Sequence, residues 1–346
     1  MSASGGEPVV LITGGAGFIG TNLAHRLLAE GRRVLILDNL SRAGVRANLR
    51  FLQERHPTLL EVNVADVRDE VAVARAVDRA SEIYHLAAQV AVTTSLENPS
   101  HDFEVNAHGT LNILEAVRRR RSDPPALIFT STNKVYGGLS AVPLQCQPGR
   151  YVPCDDTIAQ YGISETQPLD FHSPYGCSKG AADQYVLDYA RSYGIPALVF
   201  RMSCIYGPHQ FGNEDQGWVA HFLIRAARGQ PLVIYGDGRQ VRDILFVEDL
   251  VEAFLFAGQA IGSLAGQAFN IGGGPANAVS LLELLEFIGK PAVKFAQWRK
   301  GDQRYYVTDA RRFSMATGWR PTVVPSTGVR RLAAWLEREL PAETAA

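Results

Sequence analysis

The chain has 346 residues, with 34 Lys and Arg against 35 Asp and Glu, a formal net charge of −1 that gives no electrostatic reason to expect nucleic acid as a partner. Hydrophobic residues make up 46% and charged residues 20%, with 32 glycines and 18 prolines, which excludes a disordered or collagen-like chain. The four cysteines, Cys146, Cys154, Cys177 and Cys204, form no C-x-x-C pair and have no His at metal-ligand spacing, so neither a disulfide scaffold nor a metal site is expected.

Met1 to Glu7 lack the basic-then-apolar order of a signal peptide, and no apolar run approaches the roughly 20 residues that span a bilayer. The expected location is the cytoplasm, with no membrane partner. Strand-like runs follow at Val9–Thr13, Arg33–Leu37, Leu59–Val64, Glu82–Leu86, Ala126–Thr130 and Ala197–Arg201. Between them, helical periodicity spans Phe18–Glu30, Val67–Val77, Phe103–Arg119 and Ser178–Tyr193, and Gly31 is a plausible C-cap for the first. The basic run Arg118–Arg121 closes a helix, where cations suit the negative end of the macrodipole. This alternation predicts an α/β fold, a doubly wound parallel sheet. Gly138–Asp170 is long and irregular, with four prolines. After about Tyr206 the pattern breaks into helices at Trp218–Arg228, Val247–Ala257, Leu281–Ile288 and Val329–Leu340 and a short strand at Leu232–Tyr235. Residues 1–205 thus read as a dinucleotide-binding domain carrying the catalytic helix, and 206–346 as a smaller mixed region for the substrate.

The first strand runs into Gly14-Gly15-Ala16-Gly17-Phe18-Ile19-Gly20, with glycines recurring at 14, 17 and 20 where a strand turns into a helix. Without a Cβ, these positions let backbone approach a pyrophosphate at the helix N-terminus, although a tight βα turn needs glycine for structural reasons alone. The second strand ends near Asp38, the spacing at which an acidic residue binds the ribose diol of a dinucleotide. A carboxylate there repels a 2′-phosphate, so NAD is preferred over NADP. Arg42 is either a phosphate ligand or a solvated loop residue, and Asp66 either an adenine contact or a helix cap.

Tyr175-Gly176-Cys177-Ser178-Lys179 sets a tyrosine and a lysine one turn apart on one helix face. An ammonium near the phenol is expected to lower its pKa from about 10 and make it a usable base. The fifth strand leads into Thr130-Ser131-Thr132-Asn133-Lys134. Thr132 is the hydroxyl expected to share a substrate proton with Tyr175, with Ser131 as the alternative, and strand-end hydroxyls also satisfy backbone groups. His172 and His209 are further acid/base candidates, but loop histidines are usually structural or solvated.

Taken together, the glycine run, Asp38, the strand-end Thr and Tyr-x-x-x-Lys resemble the extended short-chain dehydrogenase/reductases, the Rossmann-fold epimerases and dehydratases of nucleotide sugars, over nearly the whole chain. The resemblance implies a tightly bound NAD and adds His85-Leu86-Ala87-Ala88 along the cofactor and a structural Asn106. Expected cofactor contacts are Gly14, Gly17, Phe18, Ile19, Gly20, Asp38, Asn39, Ser41, Arg42, Asp66, Val67, Leu86, Ala87, Ala88, Gln89, Tyr175 and Lys179. Family dehydratases carry an acidic pair directly after the catalytic threonine. Asn133 and Lys134 stand there instead, and neither does a carboxylate's acid/base work.

The runs Gln89–Ser95, Ser131–Gly137, Asp170–Tyr185 and Asp215–Val219 are similar to the branch of the family that inverts C2 of CDP-tyvelose or CDP-paratose. Gly138–Ile163 and the chain after Lys290 match it less closely. That branch implies oxidation of C2 with Tyr175 taking the hydroxyl proton, a 2-keto sugar that turns, and hydride return to the opposite face. Arg242 and Arg304 are then expected at the diphosphate, and Thr94, Ser131, Asn133, Gln210 and Gln216 around the substrate, with Phe211 and Trp218 near the nucleotide. Alternatives are a 4-epimerase, a 4-reductase or dehydrogenase, or a non-catalytic NAD-binding regulator. A homodimer or homotetramer through the helices at 103–119 and 178–193 is implied by the resemblance alone.

Overall fold

The computed structural model describes residues 8–299 and 302–339; Met1 to Glu7 and Leu340, the end of the last expected helix, lie outside the described residues. Five strands, β1 (Val9–Thr13), β2 (Arg33–Asp38), β3 (Leu60–Val64), β4 (Ala80–His85) and β5 (Ala126–Thr132), are joined by Ala197–Met202 and Ala268–Ile271 in one parallel sheet. Its order from one edge is 268–271, 197–202, β5, β4, β1, β2, β3. Every residue of β1 is buried, as a strand covered on both faces requires. Helix α1 (Phe18–Ala29) packs on one face with Val247–Gln259 and with Phe313 and Trp319; Glu70–Arg79, Gly109–Arg119 and Ser173–Tyr193 cover the other. The chain order reverses direction between β1 and β4, so a crevice opens where their carboxyl ends diverge.

Element boundaries follow local chemistry. The helix expected from Val67 begins at Glu70 because Asp69 caps it, accepting from Val71 and Ala72 N–H at 3.0 Å each. The helix expected from Phe103 begins at Pro99 and passes through a π turn at Glu104–His108. The helix bearing Tyr175 and Lys179 starts five residues before the expected Ser178, at Ser173, with Pro174 in its first turn, and it ends at Gly194 in the left-handed conformation. Gly138–Asp170 is not structureless: it holds a hairpin, Leu144–Cys146 with Tyr151–Pro153, and a helix, Asp156–Tyr161.

Beyond residue 205 the strand Val241–Phe246 pairs with Cys204–Tyr206, Ala278–Ser280 and Tyr305–Tyr306, over a separate core that includes Phe246, Leu284 and Trp335. Leu232–Tyr235 pairs with Val293–Ala296. The chain crosses the single division at 205, because Ala268–Ile271 returns to the main sheet and Val247–Gln259 packs beneath it. Among the described residues no helix is long and apolar enough to cross a membrane.

Candidate active site

The carboxyl ends of β1, β2, β4 and β5 and the start of the catalytic helix enclose a cleft of about 540 Å³. At its floor the turn after β1 is held by contacts that leave no room for a side chain. Gly14 has φ +69°, and a Cβ there would lie 2.7 Å from Ala87 N; one on Gly20 would lie 2.5 Å from Gly14 O. Asp38, at the end of β2, accepts from Ala16 N–H at 3.1 Å and Leu40 N–H at 2.8 Å, and burial pushes its carboxyl up. Asp66 is tied into the adjoining loop by Asn39 at 2.8 Å and by Arg68; burial works against ionisation, but these donors hold the carboxyl at about 2.

A buried polar chain, unreadable from any local motif, locks β1 to β4 behind this floor. Thr110 Oγ1 donates to Asn106 O at 2.6 Å, so it accepts from His85 Nε2–H at 3.0 Å. The other ring nitrogen, Nδ1, then accepts from Thr13 Oγ1 at 2.6 Å. Burial holds His85 down at about 3, so the imidazole is neutral and its tautomer is set by its partners. Thr13 Oγ1 in turn accepts from Ala87 N–H at 3.3 Å, which fixes the backbone facing Gly14.

At the opposite end, Tyr175 and Lys179 both line the cleft. Burial dominates at Tyr175 and the phenol stands at about 12, with Asp102 adding to the rise and the Thr132 hydroxyl and Arg42 opposing it. The expected depression by Lys179 is therefore corrected: its Nζ donates to Thr130 O at 2.6 Å and lies 4.2 Å from the centre of the Phe129 ring. Burial brings that ammonium down to about 7. Beneath the pair, Ser178 Oγ donates to the fully buried Asp102, whose other oxygen accepts from Asn106 Nδ2 at 3.2 Å. Asn106 also clamps Gln89, accepting from its N–H at 2.9 Å and donating to its carbonyl at 3.0 Å. Sequence reasoning missed Asp102, since its partner Ser178 lies 76 positions away.

Of the residues assigned above to the cofactor, all but His85 line this one cleft, as do Thr94, Ser131 and Gln216; His85 is fully buried behind its floor. Thr132 and Asn133 are buried behind it. Gln210 packs under Gly217 and donates to Ile205 O at 3.1 Å. Arg242 is engaged with Val241 O and Gln303 O, and Arg304 stacks against Tyr151 and Trp298, so neither reaches the cleft directly. Trp218 packs edge-on against Phe222, and Phe211 packs on Trp335. His172 is exposed and paired with Asp170, while His209 packs between Phe51 and Trp335; neither belongs to the cleft. Gln303, also missed, is fully buried and donates to Gly137 O at 2.7 Å.

A parallel sheet with a glycine turn, a strand-end carboxylate and a Tyr/Lys pair along one crevice defines a dinucleotide-dependent enzyme of the short-chain dehydrogenase type. The profile of the NAD dependent epimerase/dehydratase family matches residues 10–272, and the chain belongs to that family. It is 42% identical over 338 residues to the CDP-paratose 2-epimerase of Salmonella typhi, covering 94% of this chain and 98% of that one. Among solved structures it resembles the Thermus thermophilus UDP-glucose 4-epimerase in complex with NAD, with 34% identity, TM-score 0.78, and 96% and 100% of the two chains covered. The Bacillus cereus UDP-glucuronic acid 4-epimerase, in complex with UDP-glucuronic acid and NAD, is 25% identical with TM-score 0.81, covering 95% and 99%. The residues present fit NAD: the floor at Gly14 admits no Cβ, a carboxylate closes β2, and Ser131 Oγ on the cleft wall is buried with no hydrogen-bond partner among the described residues.

Proposed function

We propose that this chain is an NAD-dependent epimerase of a nucleoside diphosphate sugar that inverts C2 of a CDP-hexose. The observation that carries this reading is a Thr132/Tyr175/Lys179 set at the end of the cleft, followed by Asn133 and Lys134 where a dehydratase needs carboxylates, in a chain similar end to end to a 2-epimerase. Gly14, Gly17 and Gly20 would hold the pyrophosphate, Asp38 the adenosine ribose, and Lys179 the nicotinamide ribose.

NAD held by these residues would supply a two-electron acceptor and donor for the carbinol carbon and a positive charge that favours the phenolate. Tyr175, as phenolate, accepts the C2 hydroxyl proton and later returns it to the inverted alkoxide. Thr132, whose hydroxyl favours the phenolate, shares that proton with it. The 2-keto sugar turns between the two half-reactions, and no protein carboxylate touches the inverted carbon. Incubating the enzyme with CDP-paratose deuterated at C2, without added NAD, tests this: the epimer should form with its label retained. Rapid exchange of C2 hydrogen with solvent, or consumption of stoichiometric NAD, would contradict it.

The helices Pro99–Phe103 and Ser173–Tyr193 present exposed Phe103, Tyr185 and Tyr193, and Leu96 is exposed nearby in sequence, which supports a homodimer or homotetramer formed through this face. The four cysteines are free thiols, consistent with a cytoplasmic setting.

A further inference from the structure

The turn after β5 carries a cation that the mechanism above leaves without a task. Lys134 sits in the turn Asn133–Tyr136, where its backbone N–H donates to Thr132 Oγ1 at 3.2 Å. Among the described residues its ammonium has no hydrogen bond or ion pair; the groups acting on it are the Arg242 guanidinium, the Asp302 carboxyl and the Cys204 thiol. A bonded path ties this turn to the second cation: Arg242 Nη2 donates to Gln303 O at 2.5 Å, and Gln303 Nε2 donates to Gly137 O at 2.7 Å. Burial first, and then Arg242, bring the Lys134 ammonium down to about 8.

Two cations acting on one carboxyl at a buried position are unfavourable until an anion completes the set. Lys134 is not itself on the cleft wall, but positions close to this cluster in sequence are: Ser131 lines the cleft three residues before Lys134, and Met202 two residues before Cys204.

Resting on the 2-epimerase reading, we propose that Lys134 binds the sugar-linked phosphate of the substrate and thereby selects C2, rather than C4, as the carbon presented to Tyr175. The phosphate is carried on C1. C2 is bonded to C1, whereas C4 lies across the ring, so a sugar oxidised at C2 brings its phosphate beside the catalytic hydroxyls. A cation two residues after Thr132 is placed to meet it there, and a carboxylate at that position would repel it.

The test titrates NAD-loaded holoenzyme with CDP and with CMP, for wild type, Lys134→Met and Lys134→Arg, and follows the wild-type product by NMR. Lys134→Met should weaken CDP about ten- to a hundredfold while leaving CMP within about twofold, and Lys134→Arg should recover most of the loss. Wild-type affinity for CDP, but not for CMP, should fall as pH rises above about 8, where the free ammonium loses its proton. This readout needs no variant to fold. Equal weakening of both nucleotides, no weakening, or a pH-independent CDP affinity overturns the proposal. A wild type that inverts C2 while its CDP affinity is indifferent to Lys134 overturns the proposal alone, whereas one that interconverts C4 epimers overturns the 2-epimerase reading and the selection of carbon with it.

Discussion

Tyr175 is the residue at which burial and chemistry conflict most. Its phenol is held at about 12 by desolvation, with Asp102 among the groups that raise it. Tyr175→Phe should therefore lower kcat by about 10²- to 10⁴-fold with little change in thermal stability, since the phenyl ring keeps the packing of the buried position. Asp102→Asn tests the electrostatics more finely. Asparagine keeps partners for Ser178 and Asn106 but removes a negative charge that disfavours the phenolate, so the rising limb of the kcat–pH profile should move to lower pH. An unshifted limb would mean that Asp102 is already neutral when Tyr175 titrates. The Tyr/Lys spacing was legible because four residues make one helical turn. The partner of Lys179 was not, because the carbonyl of Thr130 arrives from a strand 49 positions away.

At the scale of elements, a buried ion pair ties the helix bearing Tyr175 and Lys179 to the main sheet. Arg201, on the strand Ala197–Met202, donates from Nε and Nη2 to the two oxygens of Asp183 at 2.9 Å each, and from Nη1 to Tyr136 Oη at 3.2 Å. Tyr136 then donates to Asn270 on the returning strand at 2.7 Å. Removing one partner strands a buried charge, so Asp183→Ala should cost about 3–5 kcal/mol in urea-induced unfolding. The glycine turn makes a second prediction. Gly14→Ala places a Cβ 2.7 Å from Ala87 N on a backbone of positive φ, and should both destabilise the fold and weaken NAD binding, measured by cofactor titration. Of the six strands up to residue 202, β1, β2 and Ala197–Met202 were readable as apolar runs buried on both faces, whereas the edge strand β3, Leu-Glu-Val-Asn-Val, alternates and stays only partly buried. The start of the catalytic helix was displaced because Pro174 and the approach through Ser173 decide it, and apolar periodicity is silent about both.

Across the whole molecule, two histidines, His85 fully buried and His209 half-buried, give the fold an acid limit. His85 is held at about 3 and His209 at about 4, both mainly by burial, against 6.5 in the unfolded chain. A depressed histidine contributes stability that is complete above pH 6.5 and is lost as pH falls, because the unfolded chain takes up the proton first. Between pH 7 and pH 5 each should cost about 2 kcal/mol, readable as a lower urea midpoint, and His85→Asn should flatten that slope. Because Ala268–Ile271 completes the main sheet and Val247–Gln259 covers one face, a fragment ending at residue 205 should show no cooperative thermal transition by circular dichroism. What the sequence by itself determined about this protein is local: apolar runs that must be buried, a turn that only glycine can make, and a tyrosine and lysine brought onto one face by helical pitch. The tertiary structure alone decided which groups meet around them: the strand that returns from residue 268, the Gln303 path from Arg242 to the turn bearing Lys134, and the upward shift of the Tyr175 phenol. Spacing carries the first kind of information, whereas burial and long-range contacts exist only once the chain has closed on itself.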